Sequence, residues 1–432
     1  VPSSDPQKPF WTIGLTPIRD DVIEAGETYD ALVVGAGCAG LNAAIELATA
    51  GLKVGIVEAQ TFGEGAASKA AGALANSLKA RLGDIARLYG QDVAIAAYDE
   101  AVRARVFTED MIAKHGIDCD LRNRERVLGA HSAKAFARLQ RELPAIQREI
   151  PGARLLSREE FRSFVYAPSY VGGMLMPNGP TLNPASYQFG LARVAQQLGV
   201  KILQRASMVD FTEDAAGLSV SVESVGRIGA THLVLATNAE SATFTRNALL
   251  RRLARRLMVM PSFAVISKPI SEGHREKVIK GGRVFGDTCK ILNWMAPTPS
   301  GDRLIYSARS GFLEGKSTKD KAQRIVDDYE RRFPALQGVG MDYYWGGRLT
   351  LTGDFMPHTG SSGNVHWTLG CNGTGLTISS YLGYKVARRI LRAENAATAF
   401  ERPLPTMAAW RRNPVLRGAA IRAYRVYDHY MH

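Results

Sequence analysis

Gly35, Gly37 and Gly40, followed by Glu58 18 residues after the last glycine, are the residues whose types and spacing first imply chemistry. They lie in "VVGAGCAGL", with Cys38 and Ala39 between the second and third glycines. The first glycine permits a tight turn, the second admits a phosphate close to the backbone, and the third lets a helix pack against a strand. Free N–H groups and the helix dipole at such a point favour a pyrophosphate. Glu58, with Ala59 behind it, ends the next strand. Its carboxylate is placed to accept ribose hydroxyls and to repel the 2′-phosphate of NADP. NAD and FAD share the adenosine and the pyrophosphate, so this unit alone does not separate them.

Two further stretches do. "FGEGAASKAAGALANS", 62–77, is small and flexible. Beyond Ala67, Ser68 and Lys69 offer donors beside the phosphates, and Ala71, Gly72 and Ala73 leave room for a flat ring system. An NAD enzyme has no obvious use for that bed. Downstream, "LGCNGTGLTISSYLGYKVA", 369–387, sets a glycine turn before a second helix. Gly370, Gly373, Thr374, Gly375, Leu376 and Thr377 would present unpaired N–H groups and partial positive charge. Aimed at the N1–C2 carbonyl region of an isoalloxazine, such an end stabilises an anionic reduced flavin. FAD is the cofactor predicted.

The elements that must position these residues follow from pattern. "YDALVVGAG", "CAGLNAAIELATAG" and "LKVGIVEA" read as strand, helix and strand, with Gly51 closing the helix. Residues 1–28, with Pro2, Pro6, Pro9 and Pro17, read as an extended arm. "LNPASYQFGLARVAQQLGV" reads as a helix feeding a strand, and 258–310 alternates as antiparallel sheet does. The predicted fold is α/β with an α+β second domain. A Rossmann-like FAD-binding domain from 29–100, 179–250 and 341–400 is interleaved with an antiparallel-sheet substrate domain from 101–178 and 251–340. A tail, 401–432, follows.

Composition narrows the classes. The net charge of +13 reads as a generally basic surface, because the densest cluster, "RRLARR", lacks interleaved aromatics, so no nucleic-acid partner is expected. No apolar run is long enough to span a bilayer, and no signal peptide is evident at the start. Cys38, Cys119, Cys289 and Cys371 are far apart, so no metal site and no disulfide scaffold are expected. A cytoplasmic setting suits them.

Across nearly the full length the chain resembles the D-amino-acid-oxidase-like superfamily of FAD oxidoreductases, and within it the gamma-glutamylputrescine oxidase-like group. The resemblance rests on the two glycine turns, "HGIDCDL" at 115–121, "LNPASYQFGLARVAQQLGV" at 182–200, "LVLATNA" at 233–239 and "WGGRLTLTGDFMPHTG" at 345–360. It implies non-covalent FAD held by the stretches above, the backbone near Val209 and the strand end Ala236, Thr237 and Asn238. It also implies oxidation of a C–N bond by hydride transfer to flavin N5, giving an imine that water hydrolyses. The cysteine by which sarcosine-oxidase-like relatives tether flavin is replaced by Gly347.

Two departures bear on the substrate. Met295 stands where many relatives carry an arginine, and Leu349 stands at the carboxylate-clamping arginine of glycine-oxidase-like enzymes. Arg348 is one residue off, which in a strand turns it to the other face. An amine, or a substrate whose carboxylate lies far from the reacting carbon, is therefore expected: a polyamine-like, N-alkyl or gamma-linked amino compound. Electrons would pass to O2 or a carrier. The alternative is an amino-acid or imino-acid dehydrogenase serving a membrane quinone, with the basic tail "WRRNPVLRGAAIRAYRVYDHY" in peripheral contact with anionic lipid.

Candidates for the chemistry are few. His358 either poises the substrate amine or packs. Trp294 and Trp345 either wall the pocket or belong to the core. Arg309 and Arg348 either hold an acidic end of the substrate or form surface ion pairs. Asn372 is a candidate donor near the flavin. Cys371 reads as packing.

Overall fold

The valine-rich strands Thr28–Val34 and Val54–Val57 are buried almost throughout, as the middle of a parallel sheet requires. The computed structural model describes residues 6–215, 217–243, 246–289, 293–308 and 317–408, with 419 and 423. In it these strands lie at the centre of one sheet. Its order is His358–Ser362, Val365–Leu369, Gly226–Leu235, Thr28–Val34, Val54–Val57, Lys201–Leu203. From Val365–Leu369 to Lys201–Leu203 every neighbouring pair is parallel. Their carboxyl ends therefore share one edge, where open α/β sheets bind ligands. The hairpin Met208–Asp214 and Gly217–Val222 extends the sheet antiparallel beside Gly226–Leu235.

Helices Cys38–Thr49, Pro184–Gln197 and Gly375–Ile390 bury Leu41, Leu191 and Val386 in one cluster with Val33, Ile56 and Ile202 of the sheet. The first and third of these helices pack backbone to backbone. A Cβ on Gly383 would fall well inside contact distance of the Ala39 carbonyl.

A second sheet runs Met341–Leu351, Met258–Ser267, Leu304–Ala308, Asn293–Pro297, Val284–Asp287, Arg126–Ala130, Gly172–Met176, Arg154–Leu156. It is antiparallel except where Val284–Asp287 pairs with Arg126–Ala130 in parallel. One face packs on helix Thr318–Arg332 through Val265, Met295, Tyr306 and Tyr344. The other carries Ala264, Trp294, Ile305 and Trp345 against Trp11, Ala71, Ala73 and Ala185 of the first lobe.

Three boundaries move. Met341–Leu351 is an edge strand of the second sheet, not part of the first lobe, because it pairs along its length with Met258–Ser267. Helix Gln91–His115 crosses the predicted boundary at 100 and stays with the first lobe, since Ala94, Ala97, Ala101 and Ala104 pack on Ile378, Tyr381 and Leu382. The N-terminal segment is not a free arm: Trp11 is buried between the lobes, and the Pro6 carbonyl accepts the Tyr344 N–H at 2.8 Å. Among the described residues no helix is long and apolar enough to cross a membrane, and no cluster could hold a metal.

The parallel core carries a pH-sensitive pair. His366, on Val365–Leu369, lies 3.4 Å from His232 of the neighbouring strand, and its Nδ1 is buried without a partner. Burial, then the charges of His232 and Arg389, hold its pKa down at about 4. An unfolded histidine titrates near 6.5, so the unfolded chain binds more protons between those values. This contribution is complete above pH 6.5 and lost as pH falls toward 4, by up to about 3 kcal/mol. Urea midpoints measured at pH 7 and pH 5 should differ accordingly, and His366→Phe should remove most of the difference. Equal slopes in both proteins would refute the assignment.

Candidate functional site

Four loops meet at the carboxyl edge of the parallel strands. After Thr28–Val34 comes the turn at Gly35, in a left-handed conformation (φ 101°) whose Cβ position lies 3.0 Å from the Ala236 carbonyl oxygen. Only glycine is at ease there. A Cβ on Gly40 would collide with the Gly35 carbonyl, whereas one on Gly37 would meet nothing within 4 Å. Gly40 is thus closed by protein, and Gly37 opens on space. After Val54–Val57 comes Glu58, whose carboxylate accepts the N–H groups of Ala36 at 2.8 Å and Gln60 at 3.0 Å. Burial pushes the Glu58 pKa up, while those N–H groups pull it back.

After Gly226–Leu235 comes Asn238, with φ 40°. Its side-chain oxygen accepts the Thr350 hydroxyl and the Gly370 N–H, and its amide donates to Cys371 Sγ at 3.3 Å. After Val365–Leu369 comes the second glycine turn. There the Asn372 oxygen accepts the Thr352 N–H at 3.0 Å while its amide donates to the Gly370 carbonyl. Asn238 and Asn372 thereby knot three segments: one strand end from each lobe and the turn before helix Gly375–Ile390.

Loop 66–75 covers this edge and is fixed from several sides. Ser68 is fully buried and its hydroxyl donates to Gln188, whose amide donates in turn to the Ala36 carbonyl at 2.7 Å. The indoles of Trp345 and Trp11 donate to the carbonyls of Lys69 and Ala70 at 3.0 and 2.9 Å. The Gly72 carbonyl accepts the Leu182 N–H at 2.9 Å, and Ala73 bridges to Thr181. Thr377 donates to the Ala75 carbonyl at 2.9 Å, tying the loop to the second helix. Lys69 is half-buried, and burial lowers its pKa.

These residues fit a dinucleotide. Helices Cys38–Thr49 and Gly375–Ile390 start without a side-chain cap, whereas Ser132, Asn183 and Ser317 cap other helices of this chain. Free N–H groups at both starts, together with the open side of Gly37, suit an anionic ligand laid across the strand ends. Val209 sits at a bulge that leaves it out of the ladder between the hairpin strands.

Several candidates take other roles. His358 is fully buried, its Nδ1 facing the Arg402 carbonyl at 3.1 Å and its Nε2 facing Asp354 at 3.1 Å. Both ring nitrogens are taken up by protein oxygens in an enclosed site, so neither faces open space. Asn372 has no side-chain donor left over for a flavin. The Ser68 hydroxyl donates to Gln188. Trp345 does wall the face toward the first lobe, but its indole N–H is spent on the loop. Arg348 pairs with Glu240, while Leu349 turns to the opposite face among Met258, Met260, Leu351 and Met407. Met295 points into the core under helix Thr318–Arg332, away from the first lobe. Cys371 packs beside Asn238. Arg309 and the basic tail lie outside the described residues, 419 and 423 excepted.

Gln188 and Trp11 escape sequence reasoning because their partners lie far along the chain. A lone glutamine among Tyr187, Phe189 and Leu191 on a buried helix was the available signal.

Residues 30–389 match the family model described as FAD dependent oxidoreductase (DAO). The chain is 26% identical over 377 residues to the gamma-glutamylputrescine oxidoreductase of Escherichia coli, covering 87% of this chain and 86% of that protein. It has the same identity and coverage with a probable oxidoreductase OrdL of Haemophilus influenzae. Among solved structures, the fold is similar to glycine oxidase from Geobacillus kaustophilus, with TM-score 0.70, 21% identity and coverage of 88% and 100% of the two chains. It is also similar to L-proline dehydrogenase from P. horikoshii, with TM-score 0.68, 18% identity and coverage of 92% and 99%.

Proposed function

The chain belongs to the DAO family of FAD dependent oxidoreductases, and from that premise we propose that it oxidises a C–N bond of an amine whose carboxylate, where present, lies away from the reacting carbon. The observation that carries this is the edge strand Met341–Leu351. Leu349 closes an apolar cluster there, and Arg348 is held by Glu240 on the other face. A carboxylate beside the reacting carbon finds no guanidinium fork at that position.

FAD, when bound without a covalent tether, supplies the acceptor for the hydride leaving the carbon next to nitrogen. The protein's own part is placement. The turn Gly35–Gly40 and the first turn of Gly375–Ile390 would receive the pyrophosphate and the ring's carbonyl edge, and Glu58 would receive the ribose hydroxyls. Trp11 and Trp345 hold loop 69–73 in place at the lobe interface. With His358 sealed in, the substrate nitrogen would arrive already neutral. Four free cysteines suit a reducing compartment such as the cytoplasm.

The test is a visible spectrum of the purified protein followed by anaerobic addition of amines and amino acids. Flavin bands that bleach with N-alkyl or gamma-linked amines are expected. Bleaching by α-amino acids alone would overturn the reading.

A further inference from the structure

The side of the second sheet that packs toward the first lobe holds a guanidinium with no partner among the described residues. Cross-strand pairing lines up Trp345, Ala264, Ser307, Trp294 and Gly286 in one row on that side. Gly286 brings no side chain to the row, and Arg126 fills the place. A Cβ on Gly286 would sit 2.9 Å from Arg126 Nη2 and 3.3 Å from its Nε, so the guanidinium lies over the glycine beside Trp294. Gly179 makes room for the arm of the same side chain, since a Cβ there would lie 2.8 Å from Arg126 Cβ.

Arg126 forms no side-chain hydrogen bond or ion pair among the described residues, and its Nε is shut off from solvent. Burial lowers its pKa, opposed only by Asp287. That carboxylate is committed to Tyr170 and Asn293. Arg124, two residues earlier on the same side, differs: it donates to the Thr181 hydroxyl and the Gly282 carbonyl. Arg122, two residues earlier again, is exposed. Arg122, paired with Asp120 at 4.0 Å, and Arg124 line a narrow crevice with Asp120, Trp11, Ala71 and Trp294. Two arginines, one of them balanced by Asp120, thus lie at the rim of the lobe interface, and the unpaired fork of Arg126 follows two residues on. Arg126 is part-buried: its Nε is shut off, while its two Nη groups, also without a partner among the described residues, remain open to an arriving anion.

We propose that Arg126 receives a carboxylate of the substrate, remote from the reacting nitrogen, in the row beside Trp294. The inference rests on the amine-oxidation reading and sharpens it: the substrate is an amino compound with a distal carboxylate, not a plain polyamine.

The test uses the FAD-loaded protein and Arg126→Met, with Arg126→Lys as a charged variant lacking the fork. Glutarate alone should raise the melting temperature of the unsubstituted protein, do so less with Arg126→Lys, and not at all with Arg126→Met. Without glutarate, Arg126→Met should melt no lower than the parent, because the guanidinium it removes has no partner among the described residues. With a gamma-glutamyl diamine, KM should rise roughly 100-fold in Arg126→Met while kcat is kept, and the same diamine carrying an acetyl group should be unaffected. Loss of FAD from Arg126→Met, an unchanged glutarate response, or no response in the parent overturns the proposal. A glutarate response that vanishes in Arg126→Met while no amine bleaches the parent would uphold the anion site and sink the amine reading.

Discussion

Gly40→Ala is expected to give a protein that loses flavin on gel filtration and melts well below the parent. The new methyl would meet the Gly35 carbonyl, a backbone oxygen that cannot swing aside. Helix Cys38–Thr49 would have to back away from strand Thr28–Val34, and it is already pressed from behind by Gly383 against Ala39. Overpacking of this kind costs about 3 kcal/mol or more when no flexible atom absorbs it. Gly37→Ala is the informative contrast. Its backbone (φ −78°) suits alanine, and no protein atom lies within 4 Å of the added methyl. It should fold with little loss of stability yet bind FAD about 10- to 100-fold more weakly, because the methyl takes space left for the phosphate. Fluorescence titration of the flavin-free proteins and their melting curves separate the two effects. Equal flavin affinity in Gly37→Ala and the parent would remove this turn from the cofactor site.

Asp354→Asn is expected to damage stability while leaving the pH dependence of turnover where it was. Asp354 accepts from Tyr89 at 2.6 Å, from the Met356 N–H at 3.1 Å and from His358, all in a nearly closed space. Burial works to raise its pKa, but His358 and the other two donors prevail and hold it at about 2. The folded value lies below the unfolded one. The stabilisation is therefore present above about pH 4 and lost as pH falls through 2. Breaking a buried pair by removing one charge costs about 3–5 kcal/mol. His358→Gln should fall in the same range, leaving Asp354 charged and short of a partner. In both variants kcat/KM, measured on the folded fraction, should still rise with pH and level off at the pKa of the substrate amine. A limb of the profile that disappears with His358 would restore the histidine to the chemistry.

The nucleotide-binding half of this protein was written in local sequence. A strand, a glycine turn, a helix and an acidic strand end are short-range features, and local backbone sterics dictate where Gly35, Gly37, Gly40 and Glu58 come to lie. The second turn at Gly370–Gly375 was legible for the same reason. Side-chain roles at the lobe interface were not, because a residue's partner there comes from a strand or loop distant in sequence. His358 looks like a base beside a proline until Arg402 and Asp354 close over it. Met295 looks like a lost arginine until the pleat of its strand turns it into the core. Arg126 carries no signal in the sequence until strand pairing places Gly286 beneath its guanidinium. Cofactor class was thus determined by sequence alone, through spacing that the backbone enforces. Which groups face the lobe interface was decided by strand register and by the packing of the two sheets, which set what each polar atom can reach.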